Sequence, residues 1–357
     1  MRVGIVGLTG SGKTTVFNAL SGAGAPVATY SGPSGKRHLA SVALPDDRLS
    51  TLAQLMSPQK VTAAHLDFED FPGLPLGPGE DRHGGRSLLA HVREVDLLLV
   101  VLRAFENPQV PHPFASLEPA RDLAELEADL LVSDQEVTEH RLTSLRKAVQ
   151  KHSKDLERDR KELELVERCA QTLEEERPIR ELSLAPNEEP LLGSFGFLTQ
   201  KPRVLLLNIG EELLGQSLPE LPADGAVRAM CAEVEMEVGE LAEEERPAYL
   251  EAMGVSQPAA LQVIRACHQA LGLITFFTVA GPEVRAWSLP RGGHVIDAAD
   301  TIHSDMARGF IRAEVVAFED MAALGSLQEA KANGKMLTEG KEFVVRDGDV
   351  LYIHFSV

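Results

Sequence analysis

The chain has 357 residues, 44% apolar and 25% charged, with 35 Lys and Arg against 54 Asp and Glu for a net charge of −19. One hydrophobic core rarely grows past roughly 250 to 300 residues, so the length predicts two or three domains, and the composition excludes wholesale disorder. The charge excludes a protein that coats nucleic acid by general electrostatics; DNA-specific binding is not expected, and only localised basic contacts remain open.

The first six residues, Met1 to Val6, read as a strand and lack the apolar stretch and small-residue cleavage site of a signal peptide. No apolar run approaches the ~20 residues of a membrane helix. A cytoplasmic protein that does not enter membranes is the expectation. Cys169, Cys231 and Cys267 are widely spaced and odd in number, which argues for buried thiols over a disulfide framework or a zinc site.

Val3 to Leu8 reads as a buried strand, Gly7 to Gly12 as a glycine-rich turn and Lys13 to Leu20 as a helix. Strand-like runs recur at 65–71, 96–102, 203–208 and 226–231, with helical segments at 87–94 and 259–271. This alternation predicts an α/β domain around a mostly parallel, Rossmann-like sheet covered on both faces.

Between about 118 and 178 the alternation stops and two long helices are expected. Leu123, Leu126, Leu130 and Leu131 mark one face of the first, and Leu156, Leu163, Val166 and Leu173 one face of the second. They read as an antiparallel hairpin inserted into the α/β domain. Residues 141–161 hold eight basic side chains against three acidic ones, a local +5: either a solvated face laced with ion pairs, or a basic tip for RNA or another acidic partner.

Beyond residue 273 strand-like runs at 274–279, 283–289, 312–318, 342–345 and 350–357, with Asp347-Gly348 as a hairpin turn, predict a small α+β domain. The expected organisation is a nucleotide-binding domain of 1–114 and 201–272, an inserted hairpin of 115–200, and the C-terminal domain of 273–357.

Gly7-Leu8-Thr9-Gly10-Ser11-Gly12-Lys13-Thr14-Thr15 matches the phosphate-binding pattern GxxxxGK[ST] between a strand and a helix. Glycines let backbone N–H groups face phosphate oxygens, the helix N-terminus favours their charge, Lys13 reaches the β and γ phosphates, and Thr14 supplies a magnesium ligand. Thr9 to Thr15 are therefore candidate nucleotide-binding residues. Asp70-Phe71-Pro72-Gly73 follows the next strand as DxxG: Asp70 is placed to hold Mg2+ through water, and Gly73 to offer its N–H to the γ-phosphate. Lys13 and Gly73 are the candidate catalytic residues.

A guanine site would carry NKxD after a later strand, whereas this chain has Asn208-Ile209-Gly210-Glu211. Asn208 is kept, but the longer Glu211 carboxylate does not reproduce the bidentate contact an Asp makes to guanine, and ATP is expected to bind better than GTP. Leu74 stands where relatives of Ras place a water-orienting Gln, which predicts slow intrinsic hydrolysis. His83 is a candidate substitute.

These three motifs resemble the YchF family of Obg-related P-loop NTPases, whose NxxE motif accompanies a preference for ATP. The stretches 88–94, 271–278, 283–287, 302–305, 309–315 and 347–350 are also similar to that family. The resemblance implies an ATP hydrolase with Mg2+, a C-terminal TGS-like domain, and ribosome or RNA contact through hairpin and TGS-like domain, with Trp287, His303 and Arg312 as surface contacts or, equally, structural residues. The chain departs from the family at Thr9-Gly10, where Pro-Asn is usual, putting cation stimulation in doubt. It departs again in the first switch, where Ser34 is the nearest hydroxyl, and in the second-switch loop, 75–85. A non-catalytic nucleotide-binding scaffold, and less readily a small-molecule kinase, are the alternatives to a nucleotide-gated regulator.

Overall fold

The computed structural model describes residues 1–22, 27–32, 35–74, 82–151, 155–221 and 227–356. The chain forms two compact units, one of Met1–Ala40 with Phe68–Ala260, the other of Ser41–Asp67 with Leu261–Val357.

The first unit is organised by a seven-stranded sheet in the order Val27–Gly32, Gly35–Ala43, His65–Asp70, Arg2–Val6, Leu97–Ala104, Arg203–Ile209, Val227–Met230. Arg2–Val6, Leu97–Ala104, Arg203–Ile209 and Val227–Met230 pair in parallel, whereas Val27–Gly32 and Gly35–Ala43 form an antiparallel ribbon, so the sheet is mixed. Every residue of Leu97–Ala104 is buried, as a strand covered on both faces requires. Helix Lys13–Ser21 follows the first strand and buries Val16, Phe17 and Leu20.

The two expected helices are Pro119–Gln150, with Pro in its first turn, and Leu156–Glu174. The first buries Leu123, Leu126, Leu130, Asp134, Thr138, Leu142 and Leu145, a 3–4 spacing sustained over its length by two polar residues at its middle. On the second, Val166 and Leu173 are buried, but Leu165 and Cys169 complete the face, while Leu156 and Leu163 are only partly covered. At the base of the hairpin the buried Asp134 carboxylate accepts from Arg93 Nη1 (2.6 Å), Leu198 N (3.0 Å), Thr199 N (2.8 Å) and Thr199 Oγ1 (2.8 Å). A fully buried carboxylate persists only when so completely paired; losing one charged partner of such a pair costs roughly 3–5 kcal/mol. Of the basic residues in 141–161, Arg141 pairs with Glu162 (2.7 Å) and Arg146 with Glu167 (3.0 Å), and Lys154 lies outside the described residues.

The second unit has a six-stranded sheet in the order Leu337–Glu339, Phe310–Val316, Val350–Phe355, Leu273–Ala280, Glu283–Pro290, Lys60–Thr62. The last strand comes from the N-terminal third of the chain and pairs in parallel with Glu283–Pro290. From the same segment, Arg48 bridges Asp46 (2.8 Å) and Asp347 (2.8 Å) and lies 5.5 Å from the Phe277 ring centroid. Two expectations fail here. Residues 342–345 form no strand, Val344 making only an isolated bridge to His294. Asp347-Gly348 is accordingly not a hairpin turn: Val350–Phe355 lies between Phe310–Val316, antiparallel, and Leu273–Ala280, parallel. The reason is that the Asp347 carboxylate is drawn to Arg48 and to the Thr275 N–H (2.8 Å), while Asp349 accepts from Arg346 N (2.9 Å). The turn is tied to other segments and to itself.

Trp287 is half-buried in this unit's core, its Nε1 donating to Thr278 Oγ1 (2.9 Å); His303 Nδ1 accepts from Asp305 N (3.1 Å) as a helix cap; Arg312 is exposed. All three cysteines are free and buried, and burial pushes the Cys267 thiol up to about 12.

His268 is buried, its Nε2 3.3 Å from Ser288 Oγ, and burial holds its pKa below the ordinary 6.5, against the attraction of Asp347 and Asp46. The unfolded chain therefore binds a proton below about pH 6.5 that the native state refuses, so this contribution is present above that pH and is lost as pH falls. Urea unfolding at pH 5 and pH 7 is expected to show a smaller acid-side loss in His268→Gln than in the native chain.

Candidate functional site

The turn after Arg2–Val6 has the form its glycines predict. Gly10 and Gly12 adopt φ of 75° and 85°, and a Cβ on Gly12 would run into the Asn208 carboxamide. Gly12 then serves as N-cap of helix Lys13–Ser21, leaving the N–H groups of its first turn free of side-chain caps. This is the arrangement that receives an anion.

Lys13 is 6% exposed and its Nζ donates to Leu8 O (2.8 Å). Burial pushes it down to about 8, opposed by the charge of Asp70. Thr14 Oγ1 donates to Asp70 Oδ2 (2.8 Å), which joins the two predicted metal ligands. Asp70 Oδ1 and Ser11 Oγ are buried with no partner among the described residues. Burial raises the Asp70 pKa, against the Thr14 hydrogen bond and the charges of Lys13 and His38. Among the described residues no three His, Cys, Asp or Glu side chains cluster as a ready-made metal cage. A magnesium ion needs none: it is commonly held by one or two protein oxygens together with phosphates and water, and a hydroxyl beside an unpartnered carboxylate oxygen fits that requirement.

The DxxG segment lies directly on this loop. Leu74 N donates to Gly7 O (3.0 Å), Leu74 bridges Leu8, and a Cβ on Gly73 would sit 2.5 Å from Thr9 Cα. Only glycine permits so close an approach. The Leu74 side chain is 1% exposed and packs in the core. Ser34 lies outside the described residues, as does most of the second-switch loop; the His83 side chain is likewise outside them.

Asn208 and Glu211 come together as expected, but in different roles. Asn208 is buried and its carboxamide is spent on the protein, with Nδ2 donating to Ser11 O (3.1 Å) and Oδ1 accepting from Ala232 N (3.3 Å). Glu211 is exposed at the start of a short 3-10 turn and lines a cavity of about 250 Å³ with Phe105, Glu106, Asn107, Asn208, Glu212 and Glu233. Sequence reasoning missed Glu106, Glu212 and Glu233, which neither motif nor periodicity marks. It also missed Arg103, although a cationic residue ending an otherwise apolar strand was a readable signal.

Comparison with known proteins places the chain among relatives. A family described as "50S ribosome-binding GTPase" matches residues 2–161, and a C-terminal YchF GTPase family, described as a protein of unknown function (DUF933), matches residues 273–356. The chain is 35% identical over 367 residues to the ribosome-binding ATPase YchF of Bacillus subtilis, with all of both chains covered. It is 35% identical over 364 residues to the protein of the same name from Escherichia coli O157:H7, covering 100% of this chain and 99% of that one. The solved structure of the Schizosaccharomyces pombe YchF GTPase is similar with a TM-score of 0.86 at 29% identity, covering 99% of this chain and 97% of that chain. These matches and the sheet agree on a P-loop NTPase fold with a mixed sheet, helical insertion and separate C-terminal domain. No helix among the described residues is long and apolar enough to cross a membrane.

The Gly73 contact is directly testable. Gly73→Ala forces the DxxG backbone off Thr9 and is expected to cost roughly 1–3 kcal/mol in the manner of overpacking. Hydrogen exchange at the Leu74 amide is expected to accelerate in that variant, and an unchanged rate would show that the two segments do not depend on this approach.

Proposed function

The chain belongs to the YchF family, and from that premise we propose that it is a ribosome-associated ATPase that hydrolyses slowly, prefers ATP to GTP, and signals its nucleotide state to a translational partner. The observation that carries the reading is the continuous constellation of buried Lys13, hydrogen-bonded Thr14 and Asp70, and Gly73 packed on Thr9. It is supported by relatives named as ribosome-binding ATPases over their full length.

In this reading Thr9 to Thr15 cradle the phosphates through backbone N–H groups, and Lys13 leaves the Leu8 carbonyl for the β and γ oxygens. Thr14 and, through water, Asp70 would hold Mg2+, which when bound spreads the charge that develops on the phosphates. The oxygens of Asp70 and Ser11 that have no partner among the described residues are placed to serve such a ligand. Gly73 offers its N–H to the γ-phosphate, so the same step engages the segment that Leu74 ties to Gly7.

Glu211 is the base reader. The cavity that it shares with Glu106 and Glu233 offers acceptors to the exocyclic amino group of adenine, while the longer Glu211 carboxylate does not reproduce the bidentate contact that an Asp makes to guanine's paired donors. Asn208 supports the loop, leaving base discrimination to the carboxylates.

Slow turnover follows from Leu74. A buried hydrocarbon cannot align an attacking water, so Lys13 and the loop amides would stabilise charge without an orienting side chain at the position after DxxG. The same fact favours a second reading, a nucleotide-binding scaffold without turnover. The proposed organisation is a nucleotide domain of 1–114 with 201–272, a hairpin of 115–200 and a TGS-like domain of 273–357, the last two contacting ribosome or RNA, with residues 41–67 and 261–272 belonging to the compact unit of the C-terminal residues.

Two measurements test this reading. Calorimetric titration in magnesium is expected to show ATP binding tighter than GTP, and a preference for GTP beyond tenfold, about 1.4 kcal/mol, would overturn the role of Glu211. Single-turnover hydrolysis is expected below ~1 s⁻¹; a faster rate would mean that some other group positions water, and none at all would favour the scaffold.

A further inference from the structure

Arg103 is the penultimate residue of the strand Leu97–Ala104 and is 3% exposed, an unusual place for a guanidinium. Burying that charge is costly unless its N–H groups are all but consumed. Here they are spent almost wholly on backbone carbonyls: Nε donates to Phe105 O (3.1 Å), Nη1 to Val110 O (2.8 Å) and Gly10 O (3.4 Å), and Nη2 to Asn107 O (3.3 Å). The guanidinium carbon lies 4.6 Å from the centroid of the Phe105 ring, and attraction from the buried Asp122 carboxylate offsets part of the desolvation.

These acceptors belong to two places. Gly10 is inside the phosphate loop, whereas Phe105 and Asn107 form one wall of the 250 Å³ cavity beside Glu211. One planar cation therefore staples the phosphate loop to that wall, at a distance and in directions that its rigid fork dictates. No other residue type supplies five divergent donors from a single buried position; lysine has three on one atom.

We propose that Arg103 is a positioning residue for nucleotide selection, which makes the base-side wall and the phosphate loop one rigid body so that a base is read in fixed register with its phosphates. This rests on the nucleotide reading given above and names a residue through which the selectivity of that site is enforced. Arg103 touches no nucleotide itself. Its loss leaves the phosphate loop, still bonded to Asn208, able to take a triphosphate, but lets the wall at 105–110 drift.

The test compares binding of ATP, GTP and inorganic tripolyphosphate, each with magnesium, to the full-length native chain and to Arg103→Met, Arg103→Lys and Lys13→Ala, with thermal unfolding of each nucleotide-free protein. Tripolyphosphate reports the phosphate loop alone, and the ratio of ATP to tripolyphosphate affinity reports the base. In Arg103→Met this ratio is expected to fall about tenfold and the preference for ATP over GTP to shrink, with tripolyphosphate affinity changed less than threefold. Arg103→Lys, which keeps the charge and some of the bonds, is expected to fall between; it serves alone if the Met variant does not fold.

Unchanged base-to-phosphate and ATP-to-GTP ratios in a variant whose melting temperature drops would make Arg103 a purely structural group and overturn the proposal. Equal losses for ATP and tripolyphosphate would overturn it as well, since the loop itself would then be what Arg103 supports. If Lys13→Ala binds all three probes like the native chain, or the native chain binds none, the nucleotide reading itself fails and this proposal with it; loss of binding in Lys13→Ala beside native-like Arg103 variants rejects the proposal alone.

Discussion

A loop that turns its amide N–H groups toward an anion leaves its carbonyl oxygens facing the protein, and each of them needs a donor. That constraint organises this nucleotide domain. Gly7 O is met by the Leu74 amide, Leu8 O by Lys13 Nζ and Ser11 N, Gly10 O by Arg103, Ser11 O by the Asn208 carboxamide, and Gly12 O by Val16 N. The donors come from the DxxG segment, the loop's own lysine, the ends of two parallel strands and the following helix. The phosphate loop is thus the hub on which those elements converge, and their positions follow from its backbone.

The same accounting explains why the motif residues are not interchangeable. Lys13 and Leu74 hold the back of the loop, Lys13 Nζ on Leu8 O and Leu74 bridged to Leu8. Gly73, pressed on Thr9, brings the DxxG segment against the same loop.

Away from the site, buried charge again marks where segments distant in sequence meet. Asp134 ties the hairpin to Arg93 and to residues 198–199, and Arg48 ties the Ser41–Asp67 segment to the Asp347 turn within the second unit. At the hairpin's far end Arg141 and Arg146 pair with Glu162 and Glu167, which offsets part of the local +5.

Much of this was legible in one dimension. The strand–glycine turn–helix, the DxxG turn, Asn208 with Glu211, and the two long helices are local patterns, set by glycine's backbone freedom and by apolar spacing that a neighbouring residue cannot disguise. The three-residue strand Lys60–Thr62 joining a sheet built more than 200 residues later, and the absence of a strand at 342–345, were not legible, because strand pairing depends on which edge is free and on where Asp347 finds its partners. Nor were Arg103 or the acidic wall of the cavity beside Glu211: their significance lies in carbonyls and carboxylates that only the folded chain brings to one place. The sequence by itself determined that a phosphate loop exists and which residues compose it, since that chemistry is written in consecutive positions. Tertiary structure alone decided what holds the loop and what lines the cavity beside Glu211, because hydrogen bonds between distant segments are formed by packing and not by spacing.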